Sequence, residues 1–302
     1  MAPQEQFARR TATEVLDELE ITAVPVDPEG IVRTKQLLFE ERDGFPNGAY
    51  GALFRSGNQF GIIVSAACPG DGFRRFTVAH ELGHYYIPGH VERLFPRGDG
   101  IVPSLGGHFR GRKDPVEVEA DCFANELLMP ERFVRPLIGH VGNGLTAVRA
   151  LAGQFRTSMS AAAIRYAAVT PEPIAVLVSY NGTIEWIARS PALWAYGWAR
   201  RPLKKEWAPR GSATHRLALA PDRVRCGDSD DSTMLLCEWF DGAPSQVEVA
   251  EDAVGLGEFG RVLTVLMAGE LPDPDEDSGY DGDRDDGRTG DWRDTLRGYR
   301  LG

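Results

Sequence analysis

Residues 80–84 read His-Glu-Leu-Gly-His, and a third histidine, His90, follows six residues after the second. Positions i and i+4 of an α-helix lie on one face, one turn apart. His80 and His84 can therefore each present a ring nitrogen to one ion about 2.0–2.1 Å away. Glu81 stands one step round the same helix. There it can take a proton from a water held by such an ion and hand it to a leaving amine. Val78, Leu82 and Tyr86 are spaced to pack the helix down. Gly83 costs up to about 1 kcal/mol against alanine inside a helix, which makes sense if another backbone passes close to it.

HExxH is a zinc-peptidase signature, and a third ligand must complete it. One candidate is His90. Its spacing matches the HExxHxxGxxH pattern, but Ile87 stands where that pattern has its glycine. His90 then reads as a surface-loop histidine. The other candidate is a carboxylate in EVEADCFANELLMP, residues 117–130. Val116, Ala120, Phe123, Ala124, Leu127 and Leu128 form one apolar stripe at helical spacing. At 100° per residue, Glu117 lies about 60° from the centre of that stripe, Glu119 about 100° and Glu126 about 120°. Glu117 is the acid most tilted toward the core, with Glu119 as the fallback. Asp121, one turn on, is placed to accept a hydrogen bond from a ligand histidine.

Around these residues, positions 6–20 show helical spacing and residues 49–66 read as a hairpin about Ser56-Gly57-Asn58. Residues 89–114, rich in Gly, Pro and Arg, read as a loop over the site. A helix is expected over 115–129, with Pro115 in its first turn and Pro130 closing it. Residues 145–168 read as two short helices of helix-turn-helix type. Beyond Pro171 and Pro173 the pattern becomes that of strands, with a hairpin about Asn181-Gly182. MLLCEWF (234–240) and SQVEVAEDAV (245–254) read as further strands, and FGRVLTVLMAGEL (259–271) as a final helix. From Pro272 to about Asp291 the chain is Asp, Gly and Glu with few apolar residues, the composition of a disordered acidic tail.

Three segments resemble the ImmA/IrrE family of metallopeptidases: FTVAHELGH, EVEADCFANELLMP and LAGQFRTSMSAAAIRY (151–166). The resemblance covers about residues 8–170 and includes AVPVDPEGIV after the first helix. It implies a zincin-like domain with a gluzincin-type zinc site. His80 and His84 match the ligand histidines, Glu81 the base, and Glu117 the first Glu of an ExEAN-type segment. Asp121 departs from the family, which often has Asn there. Mn²⁺ can replace Zn²⁺ at such a His₂Glu site. Family members are regulatory proteases that cut a helix-turn-helix repressor. The expected substrate is such a repressor, held as an added strand against residues 59–66. The genes expected to be released serve stress responses or mobile elements. The runner-up reading is a non-catalytic, metal-containing regulator that binds a repressor or DNA.

The reading as a whole is α+β. It divides into a metallopeptidase domain at 1–170, a strand-rich sensor or substrate-binding domain at 171–271, and a largely disordered tail at 272–302. The formal net charge of −11 over 302 residues argues against a general nucleic-acid or anionic-membrane binder. Only Arg149, Arg156 and Arg165 supply positive charge in the helix pair, so direct DNA contact is not expected. No apolar run is long enough to cross a membrane. No secretory signal opens the chain, and Cys68, Cys122, Cys226 and Cys237 lack CxxC spacing. They read as reduced and buried in a cytoplasmic protein. Tyr85, His108, His140 and Tyr166 are candidates for holding a developing oxyanion. Trp186, Trp194, Trp198 and Trp207 read as core rather than as a pocket lining.

Overall fold

The structure, a computed structural model, describes residues 3–45, 49–104, 114–200, 203 and 207–273. The chain divides into two compact units, Met1–Val134 with Leu151–Ser158, and Arg135–Ala150 with Met159–Gly302. Both mix helices with a sheet, as the α+β reading expects.

In the first unit α1 (Pro3–Glu18) and α2 (Pro28–Thr34) precede β1 (Leu38–Arg42). The expected hairpin is β2 (Gly51–Ser56) and β3 (Gln59–Ser65). It leads into α3 (Asp71–Tyr86), the helix that carries His80, Glu81 and His84. The segment read as a loop contains α4 (His90–Leu94) and β4 (Gly100–Ser104). β4 escaped a pattern reading because it is a five-residue edge strand with a proline in it, a place where proline is tolerated. The sheet order is β1-β3-β2-β4, with β1 parallel to β3 and the other pairs antiparallel.

α5 (Pro115–Leu128) follows, capped by Asp114, whose carboxylate accepts from the Val116 N–H. Its apolar stripe packs against both α1 and α3. Ala8, Leu16, Leu82, Phe123 and Leu127 meet there without solvent exposure. Each large side chain so buried contributes about 1.5–3 kcal/mol. α6 (Glu131–Val141) and α7 (Gly144–Phe155) come next, then α8 (Met159–Val169). The helix pair read at 145–168 is thus present, but Leu151–Ser158 groups with the first unit and α8 with the second.

In the second unit β5 (Ile174–Tyr180) and β6 (Thr183–Arg189) form the expected hairpin. Short helices α9 (Pro191–Trp194), α10 (Ala213–Ala218) and α11 (Pro221–Cys226) lead to β7 (Ser229–Leu235). Only the first two residues of MLLCEWF are strand, and α12 (Leu236–Trp239) takes over. β8 (Glu248–Gly255) is as expected, but the segment read as a last helix is β9 (Arg261–Ala268). The order β6-β5-β9-β8-β7 puts β9 in the centre, buried from Val262 to Leu266. A central strand buried on both faces shows no alternation, so its apolar run does not separate strand from helix.

No disulfide joins the four cysteines; Cys122 is buried as expected, but Cys68 and Cys237 are half-buried and Cys226 is exposed. Trp186 and Trp198 lie in the core, while Trp207 is 58% exposed. The acidic tail beyond Asp273 and His108 lie outside the described residues.

Candidate metal centre

α3 and α5 bring the ligand candidates together because their backbones touch. A Cβ built on Gly83 would stand 3.1 Å from the Ala120 Cα and 3.3 Å from its carbonyl oxygen. This is the close approach that the glycine in the motif suggested. Across it, His80 Nε2 and His84 Nε2 lie 3.0 Å apart. Glu117 reaches both, with Oε2 3.4 Å from His80 and Oε1 3.3 Å from His84. Donors of a tetrahedral site with bonds of about 2.0–2.1 Å stand about 3.3 Å from one another. The three side chains match that spacing and form a group able to hold one ion.

His80 Nδ1 lies 3.0 Å from Asp121 Oδ1, the contact expected for an acid that orients a ligand ring. Glu119 is turned away from the donor set and contacts His90. His90 is neither a surface histidine nor placed as a third ligand. It is 3% exposed, and its Nδ1 lies 3.1 Å from His84 Nδ1, on the far side of that ring from Glu117. Sequence reasoning missed this role. The available signal was Pro88-Gly89: α3 ends at Tyr86, Ile87 caps it in an extended conformation, and Gly89, with φ of +86°, turns the chain so that α4 starts at His90.

Glu81 is 0% exposed, and neither carboxylate oxygen makes a hydrogen bond of regular geometry, although the Ser104 side chain and the Leu53 backbone lie close enough to act on it. Burial raises its pKa to about 7, only partly opposed by the positive charge on His80. Burial also lowers His84, to about 4. For His80 burial pulls the same way, but bonds to Asp121 and Glu117 outweigh it and raise the ring to about 10. The Glu117 side chain is half-buried, which pushes its pKa up, yet the carboxyl is held well below the usual carboxylate range because both histidines bond to it. A fully buried carboxylate with its bonding capacity largely unfilled, beside two nitrogens and an ionised acid, suits a dication that brings its own polar ligand. On donor chemistry and on this buried group the residues fit a metal.

The comparisons with known proteins agree. Residues 46–166 match the peptidase M78 family model, the IrrE N-terminal-like domain. The matched segment bears out the resemblance to ImmA/IrrE metallopeptidases. This IrrE-like segment holds every donor described above, and its family is of metallopeptidase type. No curated protein matches the chain significantly by sequence. Among solved structures, a Mycobacterium tuberculosis transcriptional regulator shares the fold at a TM-score of 0.53 and 16% identity. The likeness covers 88% of this chain and 77% of that one, so it extends beyond the IrrE-like segment.

Of the candidate oxyanion holders, Tyr166 is fully buried and its hydroxyl accepts from the Gly144 N–H. His140 Nδ1 is engaged with its own helix, 2.6 Å from the Pro136 carbonyl. Tyr85 packs edge-on against Phe60 and Tyr86. Among the described residues no helix is long and apolar enough to cross a membrane.

Proposed function

We propose that the chain is a zinc-dependent endopeptidase that cuts one specific protein, of the helix-turn-helix repressor class, and so controls transcription. The observation that carries the catalytic part is the fully buried Glu81 carboxylate, its pKa raised to about 7 by that burial, beside the His80–His84–Glu117 donor set. A bound dication supplies positive charge that polarises the scissile carbonyl and makes water more acidic. Glu81 takes the water's proton. Its raised pKa keeps it basic enough to accept that proton near neutrality and acidic enough to release it to the leaving amine. Asp121 holds His80 in the tautomer that presents Nε2. Zinc suits two imidazoles and a carboxylate, with Mn²⁺ the alternative.

The expected docking strand needs correction. β3 is hydrogen-bonded on both sides, by β1 and β2, so residues 59–66 have no free edge. Among the described residues, the free edge nearer the base is β4. Its Ser104 pairs with Gly51, and a Cβ on Gly51 would stand 2.7 Å from Glu81 Oε1. An extended substrate adding to β4 would pass beside Glu81.

A transcriptional setting is supported by the family resemblance and by the fold shared with a protein described as a transcriptional regulator. Direct DNA contact through α7 and α8 has little support. Arg165 is 2% exposed, Arg156 pairs with Asp71 at 3.0 Å, and Arg149 borders a hollow shared with Asp230, Asp231 and Asp252.

The test compares wild type, Glu81→Gln and Glu117→Gln for bound metal and for cleavage of the helix-turn-helix repressor encoded nearest in the genome. Glu81→Gln should keep metal and lose cleavage, and Glu117→Gln should lose both. A wild type that carries metal and binds the repressor without cutting it would mean a binding regulator on a peptidase fold.

A further inference from the structure

The two ligand histidines are held in different ways. His80 meets the Asp121 carboxylate directly, whereas His84 meets another imidazole, His90, whose Nε2 lies 3.1 Å from Glu119 Oε2. We propose that His90 and Glu119 form a relay that holds the His84 ring, making His90 a positioning residue of the metal centre. The proposal rests on the metal-centre reading above.

Only one arrangement of protons satisfies the chain of contacts. His84 Nε2 faces His80 and Glu117, so as a ligand it carries no proton. The ring's proton then sits on Nδ1 and is donated to His90 Nδ1. His90 must carry its own proton on Nε2, which it donates to the Glu119 carboxylate. Every ring nitrogen along the line is then satisfied, and His84 is fixed in tautomer and in rotation. The anchor is buried, with His90 3% exposed and the Glu119 side chain 17%. A buried imidazole with no bonding role would pay a desolvation penalty for nothing. Glu117, Glu119 and Asp121 all belong to α5, so one helix supplies a ligand and the terminal anchor of each ligand ring.

The test measures Zn²⁺ affinity by chelator competition, and the visible spectrum of Co²⁺ bound in place of zinc, for wild type, His90→Ala, His90→Gln and Glu119→Gln. Loss of such an outer partner typically weakens metal binding about 10–100-fold. His90→Ala should fall in that range and shift the Co²⁺ bands. His90→Gln, which keeps an acceptor, should recover part of both. Glu119→Gln should show a smaller loss, and it carries the test if His90→Ala does not fold. Wild-type affinity and an unchanged Co²⁺ spectrum in folded His90→Ala, or in Glu119→Gln, would overturn the relay alone. A wild type that binds neither ion would overturn the metal centre itself and the relay with it.

Discussion

Gly83 and Ala120 are in backbone contact: a Cβ on Gly83 would stand 3.1 Å from the Ala120 Cα. That contact sets the separation of α3 and α5, and with it the distance from His80 and His84 to Glu117. Alanine at 83 would gain helix propensity of up to about 1 kcal/mol. It would also force the helices apart by a few tenths of an ångström, at about 1–3 kcal/mol for overpacking. Gly83→Ala should therefore lower zinc affinity about tenfold without raising the melting temperature. Chelator competition and calorimetry read the two effects. Unchanged affinity would show slack between the helices.

Gly51 stands in the same relation to the base. A Cβ there would collide with Thr77 Cγ2 and stand 2.7 Å from Glu81 Oε1. Gly51→Ala should move the Glu81 carboxylate and leave the donor set alone. A misplacement of about 1 Å can cost about 10²-fold in rate, so turnover should fall by that order while bound metal stays at one per chain. Gly139→Ala is the control, since nothing lies within 4 Å of its added methyl.

Proton competition gives a third expectation. With metal removed, His80 holds a proton up to about pH 10, while His84 is neutral above about 4 and Glu117 is ionised. Metal entry then releases one proton, from His80. Apparent zinc affinity should rise about tenfold per pH unit between pH 7 and 9. Titration in two buffers of different ionisation enthalpy should count about one proton released. A flat affinity would mean that His80 is already neutral.

Stability of the metal-free protein should change little between about pH 5 and 7 and fall above that range. The His84 pKa is depressed on folding, so its contribution is complete above the ordinary value of 6.5 and is lost as pH falls toward 4. The His80 pKa is raised, so its contribution is complete below 6.5 and is lost as pH climbs through about 10. The Glu81 pKa is raised too, so its contribution is complete below 4.5 and is lost as pH climbs to about 7, which offsets the His84 gain over the same range. Melting temperatures of the chelated protein from about pH 5 to 10 should hold level to about 7 and then fall. His84→Asn should uncover the Glu81 loss as a decline between about pH 5 and 7, and a level limb in that variant would count against the assignment.

In the second unit Glu251 is 1% exposed and accepts from the Thr214 N–H at 2.8 Å, Thr214 Oγ1 at 2.5 Å and Ser232 Oγ at 2.6 Å. Replacing it with alanine strands those donors at the start of α10, a loss of about 3 kcal/mol or more. Glu251→Ala should lower the melting temperature of this unit while zinc affinity stays at the wild-type value. Loss of affinity would mean that the centre depends on the second unit.

How much of this was readable beforehand depends on how local each signal is. His80, Glu81 and His84 sit on one helix, where a four-residue spacing dictates a shared face. Glu117 was reachable because angles about a helix axis can be counted from an apolar stripe. His90 was not, because its role depends on a turn at Pro88-Gly89 that brings it under His84. The pattern shows that turn only as a reason to doubt a ligand. β9 failed for another reason. Val262, Leu263, Val265 and Leu266 fit a helical face as well as a strand buried on both sides, and only the neighbours β5 and β8 decide between them.

The central place of β9 has a consequence for the order in which the protein is made. Everything that builds the metal centre, from α3 to α5, has been synthesised by residue 128. The five-stranded sheet cannot close until residue 268 has emerged, because its middle strand is the last described one to be synthesised. On a growing chain the centre can therefore assemble well ahead of the second unit. Through that interval the β5–β6 hairpin waits with an open edge for its partner.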